Sequence, residues 1–354
     1  MPQVVLLVVC ALVCVAVANA TVVDGLGDQV HNARPIVGVM AQPTYADPQY
    51  KGLGRTYLAA AYVKWLESAG ARVVAVQYDL PEPQLVRLLQ SINGVVFPGG
   101  ELDIPGSHYQ NTSQFIYNWA IKVRFHSFSS SSIAIAQRTD VTSASGRPQN
   151  EAGNYFPLWG TCQGFEQMAI MASGDDSILT EFQAENLTLA LDFSSAAAHS
   201  RLYGSMEKRI VDIFRNQAVA QNLHQLGLAP DLYALTVGTD NERFRSTWDI
   251  LSTNEDRRGW TFISSMESKK HPFYATQYHP ERNAYEWDRE EALIHSADAV
   301  AAMQALSNFL VSEARKSANT FANKSEEYAS LIYNFAPLYT PRIDRYYEQV
   351  YFWK

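Results

Sequence analysis

Charge is scarce in this 354-residue chain: Asp, Glu, Lys and Arg make up 18% of it, against 47% hydrophobic residues. That balance carries no compositional sign of disorder and leaves enough apolar surface for a sizeable core, in one large domain or two small ones. Positive charge is the scarcer kind, with 28 Lys and Arg against 36 Asp and Glu and a formal net charge of −8 at pH 7. No basic stripe stands out to neutralise phosphates, which argues against nucleic acid as a partner. Metal-ligand spacing is missing too: no His/Cys/Asp cluster has the pattern of a zinc site, and neither metal nor cofactor is expected. Long apolar runs are confined to the start of the chain. Beyond residue 20 nothing approaches the roughly 20 apolar residues that cross a bilayer.

Cysteine is nearly absent, and the placement of the three residues matters more than their number. Cys10 and Cys14 lie in the uncharged run Val4 to Val17, which ends in Ala18-Asn19-Ala20, the small-x-small pattern before a signal-peptidase cut. Residues 1–20 are read as a removed signal peptide. An uncleaved anchor is the alternative, since no Lys or Arg precedes the run. Cleavage leaves Cys162 alone and unable to form an intramolecular disulfide. A lone thiol on an oxidising route is either inertly buried or used as a nucleophile. The sequons at Asn111, Asn186 and Asn323 fit the same route. The negative charge is awkward for an acidic substrate at neutral pH. Near pH 5 the eight histidines would bring the formal sum to about zero, so an acidic compartment eases the conflict.

Ile36 to Met40, Val73 to Val76 and Gly94 to Phe97 are short apolar runs bounded by turn residues. They alternate with helical patterns at Tyr57 to Ser68 and Pro83 to Gln90, and the β-α-β-α-β order predicts an α/β fold with a doubly wound, mostly parallel sheet flanked by helices. A helix is expected from Ser113 to Lys122. The segment Val123 to Gln149, with its serine run, has no steady period and is far longer than the roughly 2 to 6 residues usual between helix and strand. It is either an extended loop or foreign to the fold; Val is encoded beginning GT and Gln can end AG, so a retained in-frame intron fits. Further on, strands are expected at Tyr155 to Trp159, Trp260 to Met266 and Phe273 to Tyr278, and helices from Gln163 to Ala172 and from about Ala292 to Lys316. The Tyr- and Asn-rich tail, 317–354, is read as a strap packed on the body.

The strongest chemical feature is Gly160-Thr-Cys162-Gln-Gly164, which joins an apolar strand directly to a helix. This is a nucleophile elbow with cysteine in place of serine: the glycines permit the tight turn, and the helix N-terminus favours thiolate over thiol. The Gln163 N–H is placed for an oxyanion hole, with a second donor from the Gly99-Gly100 loop. Among eight histidines, His279 has the best setting as proton-transfer partner, because it ends the apolar run Phe273 to Tyr278. Glu281, two residues on, can hold its tautomer. A strand-end histidine can equally be structural. His199 with Arg201, and Arg55 with Tyr57, are candidates for substrate binding, with purely structural roles the alternative. Glu166 either points into the site or sits on a solvated helix face.

Gly-Thr-Cys162-x-Gly-Phe-Glu166 together with Gln-Tyr-His279-Pro-Glu281 resembles the gamma-glutamyl hydrolase family, which belongs with the class I glutamine amidotransferase-like folds. The likeness extends over about residues 34–316, through segments such as Tyr62 to Arg72, Ile92 to Gly100 and Asn308 to Arg315. Residues 123–149 interrupt the family pattern. The resemblance implies a catalytic domain over 21–316 that cleaves gamma-linked glutamate from folate polyglutamates, with Cys162 as nucleophile and His279 as proton donor. It also implies secretion or residence in lysosome or vacuole, no membrane association after signal cleavage, and a homodimer as the expected assembly. Rival readings are a glutamine amidotransferase domain, disfavoured by the leader; a non-catalytic binding protein of the same fold; and a secreted cysteine peptidase of broader specificity. If the 123–149 segment is a retained intron, mass spectrometry of the native protein finds no tryptic peptide from within it. A single such peptide defeats that reading.

Overall fold

A computed structural model describes residues 32–121, 155–233 and 240–354. The leader, with Cys10 and Cys14, and the segment 123–149 lie outside the described residues.

Five parallel strands form the centre of the sheet. Their spatial order is Arg72–Gln77, Ile36–Pro43, Val95–Phe97, Leu158–Thr161, Phe273–Thr276. Ile36–Pro43 is buried at every position, as a strand covered on both faces must be, and its near-continuous apolar sequence is the direct consequence. Helices Glu82–Leu89, His108–Ile121 and Gln163–Ser173 cover one face through Leu85, Leu89, Phe115, Phe165 and Met168. Helices Ala60–Ser68, Lys208–Asn216 and Ala297–Arg315 cover the other through Trp65, Ile210, Phe214 and Leu306. The first strand has the second on one side and the third on the other. This reversal makes a switch point at the carboxyl ends of the strands, where doubly wound folds open a crevice.

The sheet continues antiparallel at both sides, for eleven strands among the described residues. On one side Phe273–Thr276 pairs with Thr261–Ser268, which pairs with Trp248–Glu255. On the other, the end of Ile36–Pro43 pairs with Thr56–Ala59, followed by Gln349–Trp353 and Leu338–Tyr339 from the tail.

Here the structure departs from the sequence reading. The helix expected from Tyr57 begins at Ala60, because Thr56–Ala59 is recruited into the sheet by Gln349–Trp353, with Tyr57 opposite Phe352. The long helix expected from Ala292 begins at Ala297, where the Ser296 side chain accepts the Ala299 N–H and caps the first turn. Trp248–Glu255 had no counterpart in the reading; it ends in four consecutive polar residues, Ser252 to Glu255, and shows no alternation to mark it as a strand.

Strand and helix approach closely at Gly164. A Cβ there would lie 2.0 Å from the Phe97 carbonyl oxygen, so Gly164→Ala is expected to destabilise the fold by about 1–3 kcal/mol, seen as a lower urea midpoint.

Candidate active site

The turn between Leu158–Thr161 and Gln163–Ser173 has one residue, Cys162, with φ 51° and ψ −112°. That backbone conformation is rare for any residue bearing a Cβ. It is held by the Cys162 N–H, which donates to Thr276 O at 2.9 Å, and by the close packing that Gly160 and Gly164 permit. A Cβ on Gly160 would sit 2.5 Å from Gly164 O.

Two neighbouring strand ends bring the partners. His279, 4% exposed, is held by its own N–H on Gln221 O at 2.9 Å. Its Nδ1 lies 2.8 Å from Glu281 Oε1, which assigns the Nδ1–H to that bond and leaves Nε2 for proton transfer. Nε2 is buried and has no hydrogen-bond partner among the described residues. At the end of Val95–Phe97, a Cβ on Gly99 would meet both His279 Cε1, at 2.7 Å, and Cys162 Cβ, at 3.1 Å. A glycine there is what lets the thiol and the imidazole share one space. The Gly99 N–H donates to the Tyr62 hydroxyl at 2.7 Å, while Gly100 lines the cleft. The Gln163 amide donates to Leu102 O at 2.6 Å and accepts from Leu102 N at 3.2 Å, clamping this loop to the elbow.

Thiol, imidazole and Gly100 open into a cleft of about 310 Å³, of small-molecule size. Tyr57 lines it, as do Glu185, Arg282, Asp344, Tyr346 and Tyr347, none of which sequence reasoning had placed there. Arg282 carried the best signal, lying directly after Glu281; Tyr346 and Tyr347 gave none, being far along the tail. Arg55 turns away to pair with Asp79, and its side chain is 65% exposed. Arg201 sits at the opposite end of the sheet, bonded to Ser268 O and stacked over Tyr274 at 5.2 Å. His199 is exposed nearby, so neither reaches the cleft. Glu166 is buried, not solvated.

His224 was also missed. It is buried, its Nδ1 lies 2.8 Å from Leu226 O, and its Nε2 has no partner. Burial holds it down to about 3, so it is a neutral ring. The carbonyl of the preceding Leu223 accepts from Cys162 Sγ at 3.7 Å. The expected lowering of the thiol is reversed as well. Burial pushes Cys162 well above the ordinary range, and the Glu166 carboxyl adds to it. The Gln163 N–H, bonded to the sulfur, only partly opposes them. A thiol held up in this way needs an adjacent base to be activated.

A thiol on a positive-φ turn beside an imidazole oriented by a buried carboxylate is the arrangement a cysteine hydrolase requires. The chain belongs to the Peptidase C26 family, whose model matches residues 35–281. It is 35% identical to gamma-glutamyl hydrolase of Homo sapiens, covering 88% of each chain, and 36% identical to that of Mus musculus, covering 90% of this chain and 89% of the other. Gamma-glutamyl hydrolase B of Dictyostelium discoideum is 34% identical, covering 90% of this chain and 83% of its own.

Removing Glu281 would free the ring whose tautomer it holds. Glu281→Ala is expected to lower kcat about 10²–10⁴-fold with little change in KM. Cys162→Gly and Cys162→Ala should both be inactive, but the glycine variant should be the more stable by about 1 kcal/mol, because only it relieves the positive φ; equal urea midpoints would show the elbow to be unstrained.

Proposed function

We propose that this hydrolase cleaves gamma-glutamyl bonds of folate poly-γ-glutamates by acyl transfer. The observation that carries the reading is the shared space at Gly99, which both the Cys162 Cβ and the His279 ring, oriented by Glu281, approach. The names of the relatives support the bond type. His279 Nε2 takes the proton of the thiol as Sγ attacks the side-chain amide carbonyl, and the oxyanion forms against the Gln163 N–H and the Gly100 loop. His279 then protonates the departing amine as the C–N bond breaks. Water, deprotonated by the same imidazole, attacks the thioester and releases the free γ-carboxylate and the thiol.

Tyr57, Tyr346 and Tyr347 offer aromatic surface to an apolar portion of the substrate, and the Arg282 guanidinium a cation for its carboxylates. Arg282 already pairs with Glu291 at 2.6 Å. Asp47, Glu101, Glu185 and Asp344 also line the cleft, which disfavours a polyanion while they are charged. Burial raises the Glu185 and Asp344 carboxyls above their ordinary range, so both gain protons early as pH falls. Affinity for polyglutamate therefore improves towards acid, consistent with a secreted enzyme that also works in lysosome or vacuole. The leader at 1–20 and the exposed sequon residues Asn111 and Asn323 support glycosylation on that route, and a homodimer is the expected assembly.

The test is hydrolysis of a pteroyl-polyglutamate at about pH 5 and about pH 7.5. The chain as written, the chain without 123–149, and Cys162→Ala in each are compared. Cysteine-dependent glutamate release with a lower KM at the acidic pH is expected. Release only from the shortened chain identifies the insert as foreign. No release from either folded form rejects the folate reading.

A further inference from the structure

Glu166 is used by none of the steps above, yet it lies one helical turn beyond the nucleophile, 5% exposed. Its N–H donates to Cys162 O at 3.0 Å. Its side chain accepts from Gln277 Nε2 at 3.0 Å. Gln277 is buried two residues before His279, and its own N–H donates to Ser264 O at 2.8 Å. The pair therefore joins the nucleophile helix to the strand end that carries the imidazole, from behind the cleft.

Among the described residues no cation compensates this carboxyl. Its described hydrogen-bond partner is a neutral amide, and two helices packed on the same helix direct their polar groups elsewhere. Arg243, on the helix Asp240–Thr247, approaches Gly174 at the opposite end. On His108–Ile121, Gln110 bonds Gln167 instead. Cys162 itself is the ionisable group that feels Glu166, while Glu281 and Glu185 act on the thiol from the cleft side. A buried carboxylate without a cation is costly enough to favour the neutral acid.

We propose that Glu166 is a positioning residue: bonded to Gln277, it holds the Cys162 elbow against the His279 strand end, and as a carboxylate it opposes formation of the Cys162 thiolate. Burial raises the carboxyl to about 8, so it is neutral at acid and neutral pH and charged above. This rests on Cys162 as nucleophile but not on the folate assignment.

The experiment is alkylation of Cys162 by iodoacetamide across pH 5–10 in the full chain, followed by peptide mass spectrometry at that residue, for wild type and Glu166→Gln. Above about pH 8 the variant should be alkylated roughly three- to tenfold faster, a shift of about half to one unit in the thiol; coincident profiles would overturn the electrostatic role. A second readout is melting temperature against pH. A carboxyl raised in the folded state gives wild type stability that is lost as pH rises from the ordinary carboxylate range through about 8, so wild type should fall relative to Glu166→Gln over that window. Hydrolysis of a gamma-glutamyl peptide tests positioning. Glu166→Leu and Gln277→Met each break the bond without adding charge, and each should lower kcat at least tenfold more than KM changes. If either folded variant keeps the kcat of Glu166→Gln, the positioning role is overturned.

Discussion

The active site depends on one unfavourable backbone conformation, the positive φ of Cys162. A residue with a Cβ stays there only where its surroundings over-determine it. Here the thiol-bearing residue hangs between the Thr276 carbonyl, which takes its N–H, and a helix that begins without any side-chain cap. Gly160 and Gly164 let that helix press so close to the sheet that no other residue fits. The Gln163 amide then fastens the Gly99-Gly100 loop to the same turn. Thiol, donors and imidazole are thus fixed by rigid strand ends, which is where precision in a reacting constellation comes from.

The electrostatics run against the thiolate. Three carboxyls, Glu166, Glu281 and Glu185, raise the thiol, and burial does so more strongly. A site of this kind does not rest with a reactive sulfur exposed to oxidants. In the proposed mechanism the nucleophile forms when an imidazole is at hand to take the proton, and the Glu281 carboxyl that disfavours thiolate is the same one that would stabilise the imidazolium.

The parallel centre and the elbow were legible in the sequence for a common reason: both are local. Continuous apolar runs follow from burial on two faces, and Gly-x-Cys-x-Gly follows from a turn that must be tight. His279 and Glu281 were legible because two residues of separation and a strand end leave few geometries. What stayed hidden was everything set by distant partners. Tyr57 looked helical until Gln349–Trp353 recruited it into the sheet. Arg201 had the chemistry of a substrate ligand, but Glu267, Ser268 and Tyr274 claim it at the far end of the strands. His224 carried no motif, and its place next to Leu223, whose carbonyl accepts from the thiol, depends on the fold of the segment Ala220–Asn222 before it.

The tail that finishes the sheet also finishes the cleft. Asp344, Tyr346 and Tyr347 form one wall, and Asp344 accepts from the Tyr50 hydroxyl. Synthesis proceeds from residue 1, so Cys162, His279 and Glu281 leave the ribosome well before that wall does. Without the tail, Thr56–Ala59 would be paired on one side only, by Ile36–Pro43, and the crevice would lack one wall. The strand Gln349–Trp353 therefore covers the free side of Thr56–Ala59 at the same place in the chain that supplies the last wall of the cleft.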